Sequence, residues 1–199
     1  MKKYRAGIDI GSTTVKLVVL DDADEILYGE YRRHQAHTQE TLSTLLEEAK
    51  KSVGECELQV CITGSGAINL GKALDISFVQ EVVAVATALK KCAPQTDVAI
   101  ERQAPVRDGW YRCSQRRAAP FRPDVAIELG GEDAKIIYFT GGLEERMNGV
   151  CAGGTGSFID QMASLLQTDA AGLNREAEQY KQIYPIAARC GVFAKTDIQ

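Results

Sequence analysis

The sequence predicts an α/β protein made of two similar subdomains, and three observations support this fold class. The composition is that of an ordinary globular protein, with 45% hydrophobic and 25% charged residues in a chain of 199. Strand-like runs in the N-terminal part are followed by an amphipathic helical pattern. A second strand–turn–strand unit of the same pattern occurs in the C-terminal half, so we expect the architecture to be duplicated.

The N-terminal part of the chain predicts strands, a helix and a further strand. Three strand-like runs over positions 4–33 are separated by turn residues: YRAGIDI, TTVKLVVLD and EILYGEYRR. The next segment, TQETLSTLLEEAKKSV, predicts a helix because its apolar residues share one face, at Leu42, Leu45, Leu46 and Ala49. The strand LQVCITG then leads into the loop TGSGA, and a short strand precedes the predicted helix QEVVAVATALKKC.

The strand–turn–strand unit of residues 8–20 recurs at residues 127–139. IDIGSTTVKLVVL aligns with IELGGEDAKIIYF at a constant offset of 119, so that an acid, a glycine and a lysine match in register. A hairpin segment and then a helical pattern follow each copy. Two such units predict two like subdomains that face each other across a cleft.

The repeat places two carboxylates, Asp9 and Glu128, at the ends of equivalent strands and beside glycine turns. Facing acids of this kind suit a hydrated Mg²⁺ ion that carries bridging phosphates. The turns GSTT and GGED offer backbone N–H groups and hydroxyls to phosphate oxygens. Lys16 either offsets phosphate charge or is solvated, and the residues alone leave both interpretations open.

Charge, apolar runs and cysteines exclude several classes of protein. The net charge of −4 favours neither nucleic acid nor an acidic membrane surface as a partner. The longest apolar run, VVAVATAL, is far shorter than the ~20 residues that cross a bilayer, and the N-terminus lacks the apolar core of a signal peptide. A cytoplasmic protein is therefore expected. None of its six cysteines forms a C-x-x-C pair, and free thiols or metal ligands are favoured over disulfides.

Five motifs together resemble one family of proteins. They are GIDIGSTTVKLVV, TGSGA, AIELGGEDAKII, NGVCAGGTGSFIDQMA and RCGVFAKTDI. They resemble the BadF/BadG/BcrA/BcrD ATPase family, the activators (component A) of 2-hydroxyacyl-CoA dehydratases and benzoyl-CoA reductases. The resemblance implies the ribonuclease-H-like fold of the actin and acetate and sugar kinase superfamily, with two similar subdomains. Because the family continues past the position that matches Gln199, we expect a truncated chain with an incomplete second subdomain.

The resemblance implies an ATP-hydrolysing iron–sulfur protein. Such activators are homodimers that share one [4Fe-4S] cluster, and the matching ligands here are Cys151 and Cys190. The cluster would pass one electron to a dehydratase or reductase partner, and Asp9 and Glu128 would organise Mg²⁺ and the attacking water. The other residues expected at the ATP site are Gly11, Ser12, Thr13, Thr14, Lys16, Gly130, Gly131, Glu132, Asp133, Gly154 and Thr155.

The residues around the two cysteines independently suit a cluster. A [4Fe-4S] cube takes four thiolates, and a two-fold axis would double a pair of cysteines into four. Cys151 lies just before the predicted helix SFIDQMASLLQ, whose N-terminal N–H groups favour a thiolate. Cys56, Cys61 and Cys92 are interpreted as small buried hydrophobes. The histidines of RRHQAHTQ, His34 and His37, are interpreted as part of a solvated loop or helix lead-in.

One segment departs from the family pattern. Residues 102–123 hold six arginines, one acid and three of the five prolines, and the repeated pentapeptide DVAIE flanks them at 97–101 and 124–128. We interpret this segment as a poorly ordered loop. Two explanations for its presence stay open: a duplication or artefact of gene assembly, or a basic docking patch for a partner. The predicted domains are therefore a first subdomain at 1–92, a linker with the insertion at 93–123, and a partial second subdomain at 124–199.

Two other functions remain open from the sequence. A sugar-kinase-like phosphotransferase of the same superfamily would need a carboxylate base near a sugar pocket, and none is recognisable. A non-catalytic fragment of a longer chain with two such ATPase halves is the other alternative. Iron content and ATP hydrolysis distinguish these interpretations from the activator.

Overall fold

A computed structural model of the chain describes residues 2–92, 98–101, 124–149, 151–188 and 190–199. The described residues fall into two compact units, one of residues 2–92 and the other of residues 98–101 and 124–199. None of the helices in these ranges is long and apolar enough to cross a lipid bilayer. The mixed α/β character predicted from the sequence is confirmed in both units.

The first unit is a five-stranded sheet with three helices. The sheet order is β3-β2-β1-β4-β5, in which β1 is antiparallel to β2 and parallel to β4. The elements are β1 (Lys2–Ile10), β2 (Thr14–Leu20), β3 (Ile26–Arg33), α1 (Thr38–Val53), β4 (Cys56–Thr63), α2 (Ile68–Leu74), β5 (Ser77–Phe78) and α3 (Glu81–Cys92).

The core of the first unit follows from the two periodicities seen in the sequence. Alternate residues of β2 point to one face of the sheet, and Val15, Leu17 and Val19 have no exposed surface. The apolar stripe of α1 supplies Leu45 and Ala49 to the same core. This packing anchors β1 and β2, and therefore the turn between them.

Truncation of Leu45 to alanine should destabilise the first unit by about 2–5 kcal/mol, since its side chain is fully buried. The neighbouring Leu46 is 39% exposed, and its truncation should cost roughly 1 kcal/mol or less. Denaturant unfolding of the two variants measures both values. Equal losses would contradict the orientation of α1 described here.

The second unit is a four-stranded sheet followed by three helices. The sheet order is β6-β7-β8-β9, in which β7 is parallel to β6 and antiparallel to β8. The elements are β6 (Val98–Glu101), β7 (Val125–Leu129), β8 (Ala134–Tyr138), β9 (Glu144–Met147), α4 (Gly156–Leu165), α5 (Ala170–Glu178) and α6 (Gly191–Ile198).

The two sheets repeat one another in register. In the first, Asp9 pairs with Lys16 across β1 and β2, and in the second Glu128 pairs with Lys135 across β7 and β8. These are the acid and lysine positions that the sequence alignment equates. The strand pairing therefore confirms the alignment of the two strand–turn–strand units.

One strand differs from the predicted organisation. Residues 98–101, which the sequence analysis assigned to the linker, form β6 alongside β7. The duplicated VAIE segment has the same strand-forming composition as the start of β7, and it pairs along the edge of β7 that corresponds to the β1 edge occupied by β4. The predicted loop at residues 102–123 lies outside the described residues.

Candidate functional site

The turn between β1 and β2, residues 11–13, is called the first turn. It lies at the carboxyl ends of the parallel strands β1 and β4, where Asp9 pairs with Thr63. Asp9 Oδ2 forms an ion pair with Lys16 Nζ at 2.9 Å. Asp9 Oδ1 is buried and has no hydrogen-bond partner among the described residues. A carboxylate oxygen buried in this way requires a hydrogen-bond or metal partner that the described residues do not supply.

Two hydroxyls at the same end of the sheet share this property. The Oγ1 atoms of Thr13, in the β1–β2 turn, and of Thr63, at the end of β4, are buried without a partner in the described part of the chain. Buried polar groups are normally hydrogen-bonded, and unsatisfied ones concentrate where ligands bind. A carboxylate and two hydroxyls, all oxygen donors, fit a hydrated Mg²⁺ ion with its phosphates.

The loop TGSGA holds Asp9 in place through its backbone. The Gly66 N–H donates to the carbonyl of Ile10 at 2.9 Å. Gly64 has a φ of +96°, and a Cβ there would collide with the Ile10 carbonyl oxygen and with Asp9 Oδ1. Only glycine allows this approach, because it tolerates positive φ and has no side chain. The sequence analysis used TGSGA as a family motif but did not connect it with Asp9.

The other predicted residues of the first turn differ in exposure. Ser12 is exposed, Gly11 and Thr13 are half-buried, and Thr14 is buried. The Gly11 N–H donates to the Thr14 carbonyl at 2.9 Å, which closes the turn. Ser12 and Thr13 line a cavity of about 250 Å³ together with residues 33–36.

The turn between β7 and β8, residues 130–133, is called the second turn. It has the same arrangement of acid and lysine as the first turn, but the contacts of its carboxylate differ. Glu128 is only 5% exposed, and both of its carboxylate oxygens lie 3.5 Å from Lys135 Nζ. Asp133 lies 3.3 Å from the same ammonium group, whereas Glu132 is exposed. Glu128 therefore already faces a cation on both oxygens, while Asp9 keeps one oxygen without a partner. The first turn is the better candidate for a metal ion.

The second turn is hydrogen-bonded to the start of α4. The N–H groups of Gly156 and Ser157 donate to the carbonyls of Gly130 and Gly131 at 2.8 and 2.9 Å. Thr155, predicted at the ATP site, is fully buried. Its hydroxyl donates to the Ala152 carbonyl and accepts from Phe158 N–H as the N-cap of α4. In this structure Thr155 thus serves to fix the loop.

Cys151 is exposed and receives backbone hydrogen bonds. Its Sγ accepts from the Gly153 N–H at 3.4 Å. This bond and a second one from the Gly191 N–H lower the pKa of the Cys151 thiol below its ordinary value. The sequence analysis attributed this effect to the helix that starts at Gly156. The donors in the structure are a glycine of the loop itself, as the glycine-rich sequence also suggested, and the first residue of α6, which the sequence did not indicate.

The segments of the two predicted cluster cysteines are in direct contact. A Cβ at Gly153 would lie 3.2 Å from both the Cα and the N atom of Gly191, so the two backbones approach more closely than side chains usually allow. Cys190 precedes Gly191 and is the N-cap residue of α6. The fold therefore brings the loop of Cys151 against the residue next to Cys190, although almost forty positions of sequence separate them.

Gly153→Ala should shift the alkylation of Cys151 to higher pH. The added methyl would lie 3.2 Å from Gly191 and push it back by a few tenths of an ångström, which weakens its N–H bond to the sulfur, so the thiol pKa rises toward its ordinary value and less thiolate is present at neutral pH. The measurement is the pH profile of iodoacetamide labelling in iron-free protein, read by mass spectrometry of the Cys151 peptide.

The matched control for this variant is Gly149→Ala, because a Cβ at Gly149 meets no atom within 4 Å. Its profile should equal that of the wild-type protein. A Gly153→Ala profile that also equals the wild type would contradict the contact between the two cysteine segments.

The two histidines of the segment after β3 differ in their surroundings. His37 is exposed, with 69% of its side chain accessible, as the sequence analysis expected. His34 is 8% exposed, and its ring contacts the Gly11 carbonyl oxygen at 3.2 Å. His34 thus lies in the segment that leads into α1, one of the two expected settings, but it is buried and not solvated. Its local sequence is polar, and only the return of β3 to the β1–β2 turn buries it.

Comparisons with known proteins confirm the resemblance predicted from the motifs. No protein-family model matches the chain. It is 26% identical over 201 residues to the 2-hydroxyisocaproyl-CoA dehydratase activator of Clostridioides difficile, covering 98% of this chain and 64% of that protein. It is also 26% identical over 205 residues to the (R)-2-hydroxyglutaryl-CoA dehydratase activating ATPase of Acidaminococcus fermentans, covering 100% of this chain and 67% of the relative.

Solved structures of such proteins have the same fold. The activator of the 2-hydroxyisocaproyl-CoA dehydratase from Clostridium difficile with bound ADPNP matches with a TM-score of 0.72 at 26% identity, over 98% of this chain and 63% of that one. Component A of the Acidaminococcus fermentans (R)-2-hydroxyglutaryl-CoA dehydratase matches with a TM-score of 0.69 at 24% identity, over 99% and 67%. The chain thus spans slightly less than two thirds of the length of the first of these relatives.

Proposed function

We propose that this chain is part of an ATP-dependent iron–sulfur activator that delivers one electron to a 2-hydroxyacyl-CoA dehydratase. The observation that carries the proposal is the Cys151 loop. Its thiol is exposed, has a lowered pKa and lies against the segment of Cys190, and the same loop leads into a helix bonded to the second glycine turn. The named functions of the similar proteins support the same proposal.

We propose Cys151 and Cys190 as the two ligands that this chain provides to a [4Fe-4S] cluster shared by a homodimer. The exposed Cys151 thiol, whose pKa is lowered by backbone N–H groups that donate to its sulfur, fits this group. The glycines at 153 and 191 bring backbone close to the sulfur, since a Cβ at either position would lie 3.4 to 3.5 Å from Cys151 Sγ. When bound, the cluster supplies a one-electron donor of low potential. The protein is proposed to be cytoplasmic.

We propose that the first turn holds the phosphates and Mg²⁺ of ATP. Asp9 would bind the hydrated ion through Oδ1, while Lys16 neutralises Oδ2. The exposed Ser12 and the partnerless hydroxyl of Thr13 would donate to phosphate oxygens. Glu128, with Gly130, Gly131 and Asp133 of the second ribonuclease-H-like subdomain, is likewise proposed to contact nucleotide phosphate.

The hydrogen bonds between the second turn and α4 can transmit a movement of the proposed nucleotide site to the Cys151 loop. Gly130 and Gly131 are rigidly joined to the first residues of α4 at 2.8 and 2.9 Å. A displacement of this turn on ATP hydrolysis would move the start of α4 and the Cys151 loop before it. We therefore propose that this backbone contact couples the ATP site to the cluster cysteines.

Anaerobic purification with iron and sulfide analysis tests the proposed function. We expect about four irons and four sulfides for two chains, absorbance near ~400 nm, and ATP hydrolysis. Phosphorylation of a small alcohol by iron-free protein would favour a kinase instead. A folded protein that binds neither iron nor ATP would contradict the activator proposal.

A further inference from the structure

We propose that His34 is a positioning residue that holds the first glycine turn in the shape that binds nucleotide phosphate. This inference rests on the proposed function and extends it to a residue outside the resemblance motifs. His34 directly follows β3, and its ring lies beneath the turn between β1 and β2. Ser12 and Thr13 of that turn line the same cavity of about 250 Å³ as His34 and Arg33.

The hydrogen bonds of the ring determine which nitrogen carries the proton. The Ala36 backbone N–H, which can only donate, points at His34 Nδ1 at 3.1 Å. The Thr38 hydroxyl also lies 3.3 Å from Nδ1. Nδ1 is therefore the acceptor, and the proton of the neutral ring is on Nε2. Nε2 then donates to the Gly11 carbonyl oxygen at 3.2 Å.

The backbone of the same residue holds the other end of the turn. The His34 N–H donates to the Thr13 carbonyl oxygen at 3.1 Å. One residue thus contacts two carbonyls of a three-residue segment, through its ring at Gly11 and through its backbone at Thr13. The turn is fixed before any phosphate arrives, which reduces the conformational entropy that binding must overcome.

The two residues after His34 have an unusual backbone conformation. Gln35 and Ala36 both have left-handed backbone conformations, with φ of 46° and 68°. Residues other than glycine rarely adopt this region, and such conformations concentrate at functional sites. Here they place the Ala36 N–H on Nδ1, which in turn directs the Nε2 proton to Gly11. The strained segment and the His34 ring together hold the Gly11 carbonyl in place.

Two amide variants separate the functions of the two ring nitrogens. The amide nitrogen of His34→Gln reaches the position of Nε2 and keeps a donor for Gly11, whereas His34→Asn reaches only the position of Nδ1. We expect His34→Asn and His34→Ala to weaken binding of ADPNP about tenfold, and His34→Gln to restore most of it. His37→Gln, at the exposed histidine three residues on, is the matched control and should bind like the wild type.

Hydrogen exchange of the ligand-free full chain gives a readout independent of nucleotide. The Gly11–Thr14 amides should exchange faster in His34→Asn and His34→Ala than in the wild type and in His34→Gln. Equal ADPNP affinity and exchange in all variants, or a Gln variant as weak as the Asn variant, would overturn this inference alone. A wild-type chain that binds no ADPNP would overturn the proposed function, and the inference with it.

Discussion

Cys151→Ser should abolish the iron–sulfur cluster, so that iron content falls from about four per two chains to near zero. The serine hydroxyl stays protonated at neutral pH, whereas the Cys151 thiol ionises readily because two backbone N–H groups stabilise its thiolate. The absorbance near ~400 nm should disappear with the iron. Since Cys151 is exposed, the fold and the binding of ATP should be unchanged.

The control for this variant is Cys56→Ser, which removes a half-buried thiol at the start of β4 in the first unit. Its iron content should equal that of the wild type. Cys190→Ser should behave like Cys151→Ser, since both cysteines are proposed ligands. Wild-type iron in either of these two variants would exclude the ligand assignment.

Asp9→Asn should reduce ATP hydrolysis by about 10²–10⁴-fold. The substitution keeps the size of the side chain but removes the negative charge that Oδ1 would present to Mg²⁺ and its waters. It also leaves Lys16 without the carboxylate that it contacts at 2.9 Å. The measurement is steady-state phosphate release at saturating Mg²⁺ and ATP, together with the affinity for ADPNP.

Asp22→Asn is the matched control, because Asp22 is an exposed carboxylate in the turn after β2. It should hydrolyse ATP at the wild-type rate. Wild-type hydrolysis by Asp9→Asn would instead show that Asp9 Oδ1 has no part in the reaction. Glu128 would then be the favoured catalytic carboxylate.

Much of the fold was predictable because each signal is local. The alternation of apolar residues in TTVKLVVLD and the apolar face of TQETLSTLLEEAKKSV predict β2 and α1 at nearly their observed positions. The offset between the two strand–turn–strand copies predicts the equivalent pairs Asp9–Lys16 and Glu128–Lys135. The repeated pentapeptide marked residues 98–101 as a second copy of the start of β7, but they were assigned to the linker, since four residues carry little periodicity and their partner β7 lies beyond the insertion.

The site was predictable in its residue types but not in its contacts. The motifs identify Asp9 and Cys151, yet the donors to the Cys151 thiol come from Gly153 and from Gly191 of a distant helix. Gly64 could have been suspected from its place in TGSGA, directly after a predicted strand. No local signal identified His34, because polar neighbours in sequence indicate solvent.

The sequence by itself determined most strands of the two sheets, the helices α1, α3 and α4, the duplicated turns and the chemical character of the candidate ligands. These depend on the periodicity of side chains and on short motifs, which act over a few neighbouring residues. Only the tertiary structure decided which oxygen of Asp9 lacks a partner, which backbone groups face Cys151 and why His34 is buried. Such properties arise when segments that are distant in sequence pack together, because burial and hydrogen-bond partners belong to the packed arrangement of the chain.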